Sequence, residues 1–164
     1  MCGTGARVRG HTLEEEVVMQ TTGVSAIDTT IQKTNVWLKE VMEEIGSTER
    51  QQAYVALRAV LHTLRDRLTV QEATDLGAQL PMLVRGLYYD GWNPSGKPAK
   101  FDKDGFLASL REHFASAPIR ASDAEKMAAG VFRVLDKHIT EGEIADVKAI
   151  LPNDLKEFWE GLQG

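Results

Sequence analysis

The chain has 164 residues, 43% hydrophobic and 26% charged, which suits one compact globular domain or two tightly packed halves. Its 19 basic and 24 acidic residues give a net charge of −5, which speaks against general binding of nucleic acid or an anionic membrane, because counterion release needs a basic face. The single cysteine, Cys2, excludes an intrachain disulfide and a cysteine-ligated metal centre, and no apolar run approaches the roughly 18 residues of a membrane span. A cytoplasmic protein is expected.

Residues 1–26 are rich in Gly and Thr and carry no sustained periodicity, so a flexible leader is expected there. Met19 precedes a small, polar Gln-Thr-Thr-Gly run and reads as a candidate native initiator. The first helix is expected from about Asp28 or Thr29 to Ile45, with Ile31, Leu38, Val41, Met42 and Ile45 on one stripe and Gly46 ending it. Thr48 with Gln51 suggests a capping box for a second helix, whose stripe is Tyr54, Leu57, Leu61, Leu64 and Leu68. Thr69 with Glu72 opens a short third helix through Ala73 and Leu76. Pro81 stands where a fourth begins, carrying Leu83, Val84, Leu87 and Tyr88.

A Pro/Gly linker over 91–100 follows. Phe106, Leu107, Leu110 and Phe114 then mark a fifth helix. Ser122 with Glu125 suggests the cap of a sixth, with Met127, Val131, Val134, Leu135 and His138 as its stripe. Thr140 with Glu143 opens a seventh through Ile144 and Val147. Pro152 opens an eighth, with Leu155, Phe158, Trp159 and Leu162. No run of alternating β-branched residues argues for a strand.

The second half repeats the first. An offset of 71 positions carries Leu64, Thr69, Glu72, Asp75, Ala78, Leu80 and Pro81 onto Leu135, Thr140, Glu143, Asp146, Ala149, Leu151 and Pro152. These are core and helix-boundary positions, so they report a duplicated helical unit rather than a duplicated active site. The expectation is an all-α orthogonal bundle of about eight helices, built from a four-helix repeat over 27–90 and another over 101–164. The two are expected to pack face to face, with Leu61, Leu64, Val131 and Leu135 buried near their interface.

No catalytic constellation emerges. Gly91, Gly96 and Lys97 match a phosphate-binding loop, but Pro98 stands where the magnesium-binding hydroxyl belongs and no strand precedes the loop. His62 and Asp66 lie four apart on one helix, yet two ligands do not make a metal site. No metal, cofactor or catalytic residue is therefore assigned. Arg58, Arg65 and Arg85 form a candidate anion site near the groove between the halves. Tyr88, Tyr89 and Trp92 at the end of the fourth helix form a candidate interaction surface, or else they pin the linker onto the bundle. Trp159 stands at the position equivalent to Tyr88, which favours packing for both.

The stretch Leu57-Arg58-Ala59-Val60-Leu61-His62, Leu64-Arg65-Asp66-Arg67-Leu68-Thr69 and Arg85-Gly86-Leu87-Tyr88-Tyr89-Asp90-Gly91-Trp92 resembles the largely bacterial family known as domain of unknown function 2267. His138-Ile139-Thr140-Glu141-Gly142-Glu143-Ile144 and Leu151-Pro152 resemble it more loosely. The resemblance implies a small, soluble, all-helical bundle of two similar halves, and it carries over no catalytic residue. The leading expectation is a non-enzymatic interaction module that binds a protein partner or a second copy of itself. The alternative is a small anionic ligand held by the arginines, and an enzyme comes third.

Overall fold

The computed structural model describes residues 21–163. The reading of Met19, and most of the expected leader, lie outside the described residues. The described residues form an all-α bundle of eight α-helices and contain no strand. They are α1 (Ser25–Ile45), α2 (Arg50–Arg67), α3 (Val70–Gln79), α4 (Met82–Tyr89), α5 (Lys103–Phe114), α6 (Ala124–His138), α7 (Glu141–Ile150) and α8 (Asn153–Glu160). A 3-10 turn, Ala121–Asp123, leads into α6, and another, Gly161–Gln163, follows α8. No described helix is long and apolar enough to cross a membrane.

The first helix begins three residues earlier than periodicity predicts. The Asp28 carboxylate accepts from the N–H and hydroxyl of Thr22, at 2.7 and 2.8 Å, and anchors the chain ahead of the first turn. Gly46, at φ 64°, closes α1 as expected. The predicted stripe of α1 holds at Val41 and Ile45, and Leu38 and Met42 pack against the core, but it fails at Ile31. Thr30, Thr34, Trp37, Val41 and Ile45 are buried, whereas Ile31 is 39% exposed. Apolarity alone misplaced the N-terminal end of the face because two threonines hold core positions there. The Thr34 hydroxyl donates to the Thr30 carbonyl at 2.7 Å, and the Thr30 hydroxyl accepts from the Leu83 N–H at 2.9 Å. Neither hydroxyl is stranded.

Helix α2 is the centre of the molecule. Leu57, Leu61, Leu64 and Leu68 are fully buried as predicted, and so are Ala53, Ala56 and Val60; Tyr54 is only partly covered. A helix buried on nearly all sides must have neighbours on all sides, and α2 packs against α1, α4, α5 and α6. On α4, Leu83 is exposed while Val84 and Tyr88 are buried. The α6 stripe holds except at His138, which lies outside the core, stacks on Trp37 at 4.7 Å and pairs with Glu40.

Two expected caps do not form. Helix α2 starts at Arg50 with no side-chain cap on Glu49, whose N–H instead bonds the Ser47 hydroxyl at 3.0 Å. Ser122 lies within the 3-10 turn and does not cap α6, and Glu125 pairs with Lys103 at 3.2 Å. The other two caps do form. The Thr69 and Thr140 hydroxyls accept from the N–H of Glu72 and Glu143, at 3.3 and 3.4 Å. The reciprocal arm of the second is supplied across the molecule. The Gln79 amide accepts from the Thr140 N–H and donates to its hydroxyl, both at 3.0 Å.

The element bounds recur at the 71-residue offset. Arg50–Arg67 maps onto 121–138, which is the 3-10 turn plus α6. Val70–Gln79 maps onto Glu141–Ile150, and Met82–Tyr89 onto Asn153–Glu160. The halves do not pack as two closed units set face to face. Helix α1 packs most extensively on α6, and α5 packs more on α2 than on α6. Each half's first helix thus completes the other half's core. The α1–α6 crossing is close enough that a Cβ on Gly130 would sit 2.6 Å from Ile45 Cγ2.

Candidate functional site

Helix α4 ends against α3 and α2, and this corner gathers most of the residues singled out from sequence. Tyr88 is buried and donates its hydroxyl to the Ala73 carbonyl at 2.6 Å. Burial is the chief cause that holds its phenol pKa above the ordinary tyrosine value. Tyr89 stands edge-on to Tyr88 at 4.9 Å and tilts over Trp92 at 5.4 Å. Its hydroxyl lies across Gly77 of α3, where a Cβ would be 2.3 Å from it. Tyr89 and Trp92 are partly buried and pack against the core. The corner is pinned onto α3, and the Trp92 Nε1–H is buried without a partner.

The arginines serve the ends of helices. Arg65, 5% exposed on α2, donates to the carbonyls of Tyr88 at 2.7 Å and Asp90 at 3.1 Å, and pairs with Asp66 at 3.0 Å. Its cation meets the negative pole of α4. Arg58 pairs with the Asp90 carboxylate at 3.2 Å. Arg85 is drawn elsewhere, to the carbonyls of Gly77, Ala78 and Leu80 at the end of α3, at 2.8, 3.1 and 2.9 Å. Arg58 and Arg65 therefore converge on Asp90, and Arg85 does not join them.

Arg58 and Asp90 also line a cleft of about 370 Å³ with Tyr54, His113 and Ser116, where α2 faces the loop after α5. His62, beneath it, contacts the Leu87 carbonyl through Nε2 at 2.6 Å. Burial lowers its pKa from the usual histidine value, and the charges of Arg65 and Arg58 add to that. Asp66, four residues on from His62, is paired with Arg65 and Lys97. Among the described residues, no group of three or more His, Cys, Asp or Glu is placed to hold a metal ion.

The equivalent corner of the second half is built differently. Trp159 takes the place of Tyr88, stacks on Phe132 at 4.1 Å and donates its indole N–H to both oxygens of Asp136 at 3.0 Å. Asp136 stands where Arg65 stands in the first half. Lys148 takes the place of Gly77, and Glu160 and Gln163 take those of Tyr89 and Trp92. A cleft of about 370 Å³ opens here, with Ile144 and Ala145 in its lining. Lys148 is only 8% exposed, with its ammonium 5.2 Å from the Trp159 ring centre. Sequence reasoning passed over Lys148. The signal for it was a mismatch, Gly77 against Lys148, inside an otherwise matched repeat.

A third feature is an apolar face. The first turn of α4 rests on α1 at Thr30, and Ile27, Ile31, Met82 and Leu83 lie within one turn of that contact in sequence. All four are exposed, Met82 to 56%.

A comparison with protein-family models matches residues 34–158 to the family described as uncharacterized conserved protein (DUF2267). The chain belongs to that family. No curated protein matches it. The DUF2267 match begins in the middle of α1 and runs into α8, so it takes in Arg58 to Trp92, Asp136 and Lys148. Ile27 and Ile31 precede it.

Proposed function

We propose that this DUF2267 protein is a non-enzymatic interaction module, that its contact face is the apolar side of α1 with the first turn of α4, and that the occupant is a second copy of the chain. The observation that carries this reading is the concentration of exposed bulk. Val24, Ile27, Ile31, Met82 and Leu83 are five of the seven large apolar side chains exposed among the described residues. Isolated exposed apolar residues are ordinary, but a grouped set marks an interaction site. Ile27 and Ile31 are four apart on α1 and so share one face of it, and Val24 stands just ahead of the helix. A face on a single helix is self-complementary about a two-fold axis, which favours a like partner.

The aromatic corner formed by Tyr88, Tyr89 and Trp92 supports the reading less well, because its rings already pack on one another and on α3. The anion-site alternative finds no comparable support, since Arg65 and Arg85 direct their donors to backbone carbonyls and Arg58 to Asp90. Duplication of a single unit belongs to the same proposal and is supported by the recurring element bounds. A cytoplasmic setting belongs to it as well, since one cysteine allows no intrachain disulfide.

Sedimentation velocity tests the interaction. The wild type is expected to form a dimer whose population rises with concentration, and Ile27→Asp with Ile31→Asp is expected to leave a folded monomer. A wild type that stays monomeric up to about 1 mM, the range of the weakest specific association, defeats the proposal.

A further inference from the structure

The two equivalent corners differ in a way that points to a ligand. In the first half, Tyr89 and Trp92 fill the space beside α3, and they fit because residue 77 is glycine. A Cβ there would lie 2.3 Å from the Tyr89 hydroxyl oxygen and 2.7 Å from its Cζ. In the second half the same three positions are Glu160, Gln163 and Lys148. The packed phenol and indole are replaced by two flexible polar chains. Glu160 turns toward Lys156, at 4.0 Å, and Gln163 donates to Asp136 at 3.0 Å. The volume that two aromatic rings fill in one half is a cleft in the other.

Lys148 decides the sign of what fits. Its side chain is more than nine-tenths buried, and no carboxylate among the described residues lies within 4.0 Å of its ammonium. The stem of the side chain is covered while the ammonium reaches the cleft, 5.2 Å from the centre of the Trp159 ring. The neighbouring side chains have hydrogen-bond or ion-pair partners of their own. Asp136 accepts from Trp159 and Gln163, and Lys156 faces Glu160. Lys148 is the lysine of the cleft with no carboxylate among the described residues within 4.0 Å. Asp136, Glu141 and Glu160 also line it, and they penalise a multiply charged anion such as a phosphate ester more than a single charge. Ile144 and Ala145 in the lining, and the ring-sized room, leave a place for a planar apolar body.

We propose that the cleft between α7 and α8 binds a small aromatic monocarboxylate, its carboxylate paired with Lys148 and its ring in the space that Tyr89 and Trp92 occupy in the first half. The site does not depend on self-association.

Calorimetric titration of the full chain with 4-hydroxyphenylacetate tests this, with neutral p-cresol and dianionic phenyl phosphate as comparators. The wild type is expected to bind 4-hydroxyphenylacetate at millimolar concentration or below, as suits a ligand of about ten heavy atoms. Both comparators are expected to bind at least about tenfold more weakly, one charge-assisted contact being lost or opposed. Lys148→Met keeps the length of the chain and removes the charge, and should weaken binding by a similar factor. A triple variant, Lys148→Gly with Glu160→Tyr and Gln163→Trp, transfers the first half's ring packing and should abolish binding without lowering Tm. A wild type that binds nothing up to about 10 mM, well above the weakest affinity the contacts imply, overturns the proposal. Undiminished binding by either variant overturns it too. The triple variant keeps the test decisive if Lys148→Met fails to fold.

Discussion

The Glu143 carboxyl has one oxygen buried without a hydrogen-bond partner, and burial, followed by the charges of Glu72, Asp75 and Asp146, raises its pKa. The folded protein therefore keeps this proton at pH values where the unfolded chain has released it. Stability from this group is complete below the ordinary glutamate range and falls as pH rises through it and above. Glu143→Gln should raise Tm at neutral pH and leave it nearly unchanged near about pH 3, where both states hold the proton. Thermal melts across that range check the sign, and an equal gain at every pH speaks against it. At Gly77 the fit is steric. Gly77→Ala should displace the Tyr89 ring and cost about 1–3 kcal/mol by chemical denaturation, despite alanine's better helix propensity. A gain in stability would show that Tyr89 has room to move.

At the scale of elements, the caps and crossings carry the predictions. Thr69→Ala and Thr140→Ala should each cost about 0.5–2 kcal/mol. Only Thr140 should couple to Gln79, because Gln79 bonds both its N–H and its hydroxyl. A double-mutant cycle of Gln79→Ala with Thr140→Ala should show at least about 0.5 kcal/mol of interaction, and the same cycle with Thr69→Ala none. The α1–α6 crossing depends on Gly130. A Cβ there meets Ile45, which is fully buried and β-branched, and also approaches the Ile45 backbone N at 3.4 Å. Gly130→Ala should destabilise by about 1–3 kcal/mol, and a neutral result would mean that α1 shifts freely along α6.

For the whole molecule, the exchange of first helices sets the folding unit. Residues 21–100 on their own would lose α6 from beneath α1 and α5 from beside α2. Residues 101–164 would lose the long α1 that covers α6. Each fragment has about the size at which a core is marginal even when intact. Expressed separately, the fragments should show little helix by circular dichroism, and an equimolar mixture should recover it. A cooperative melt from either fragment alone would show that the halves are independent domains.

Local chemistry was legible in the sequence wherever it acts within a few residues. Thr69 and Thr140 cap helices because the partner N–H lies three residues on. Pro81 and Pro152 mark helix starts because proline needs no donor there. Leu57, Leu61 and Leu64 reach the core because they share one face of α2. The helix bounds that recur at the 71-residue offset were legible too, because apolar residues and helix-start residues recur at that offset. Only the tertiary structure decided matters that depend on distant neighbours. It placed Ile31 outward by seating Thr30 and Thr34 against partners that satisfy their hydroxyls. It buried Arg65 by bringing the carbonyls of Tyr88 and Asp90 to it across more than twenty residues. It sent α1 onto α6 rather than back onto its own half alone. It also left one of two equivalent corners filled and the other open. A repeated sequence pattern specifies equivalent backbones, but whether a space beside them is filled depends on the side chains that converge there from separate helices.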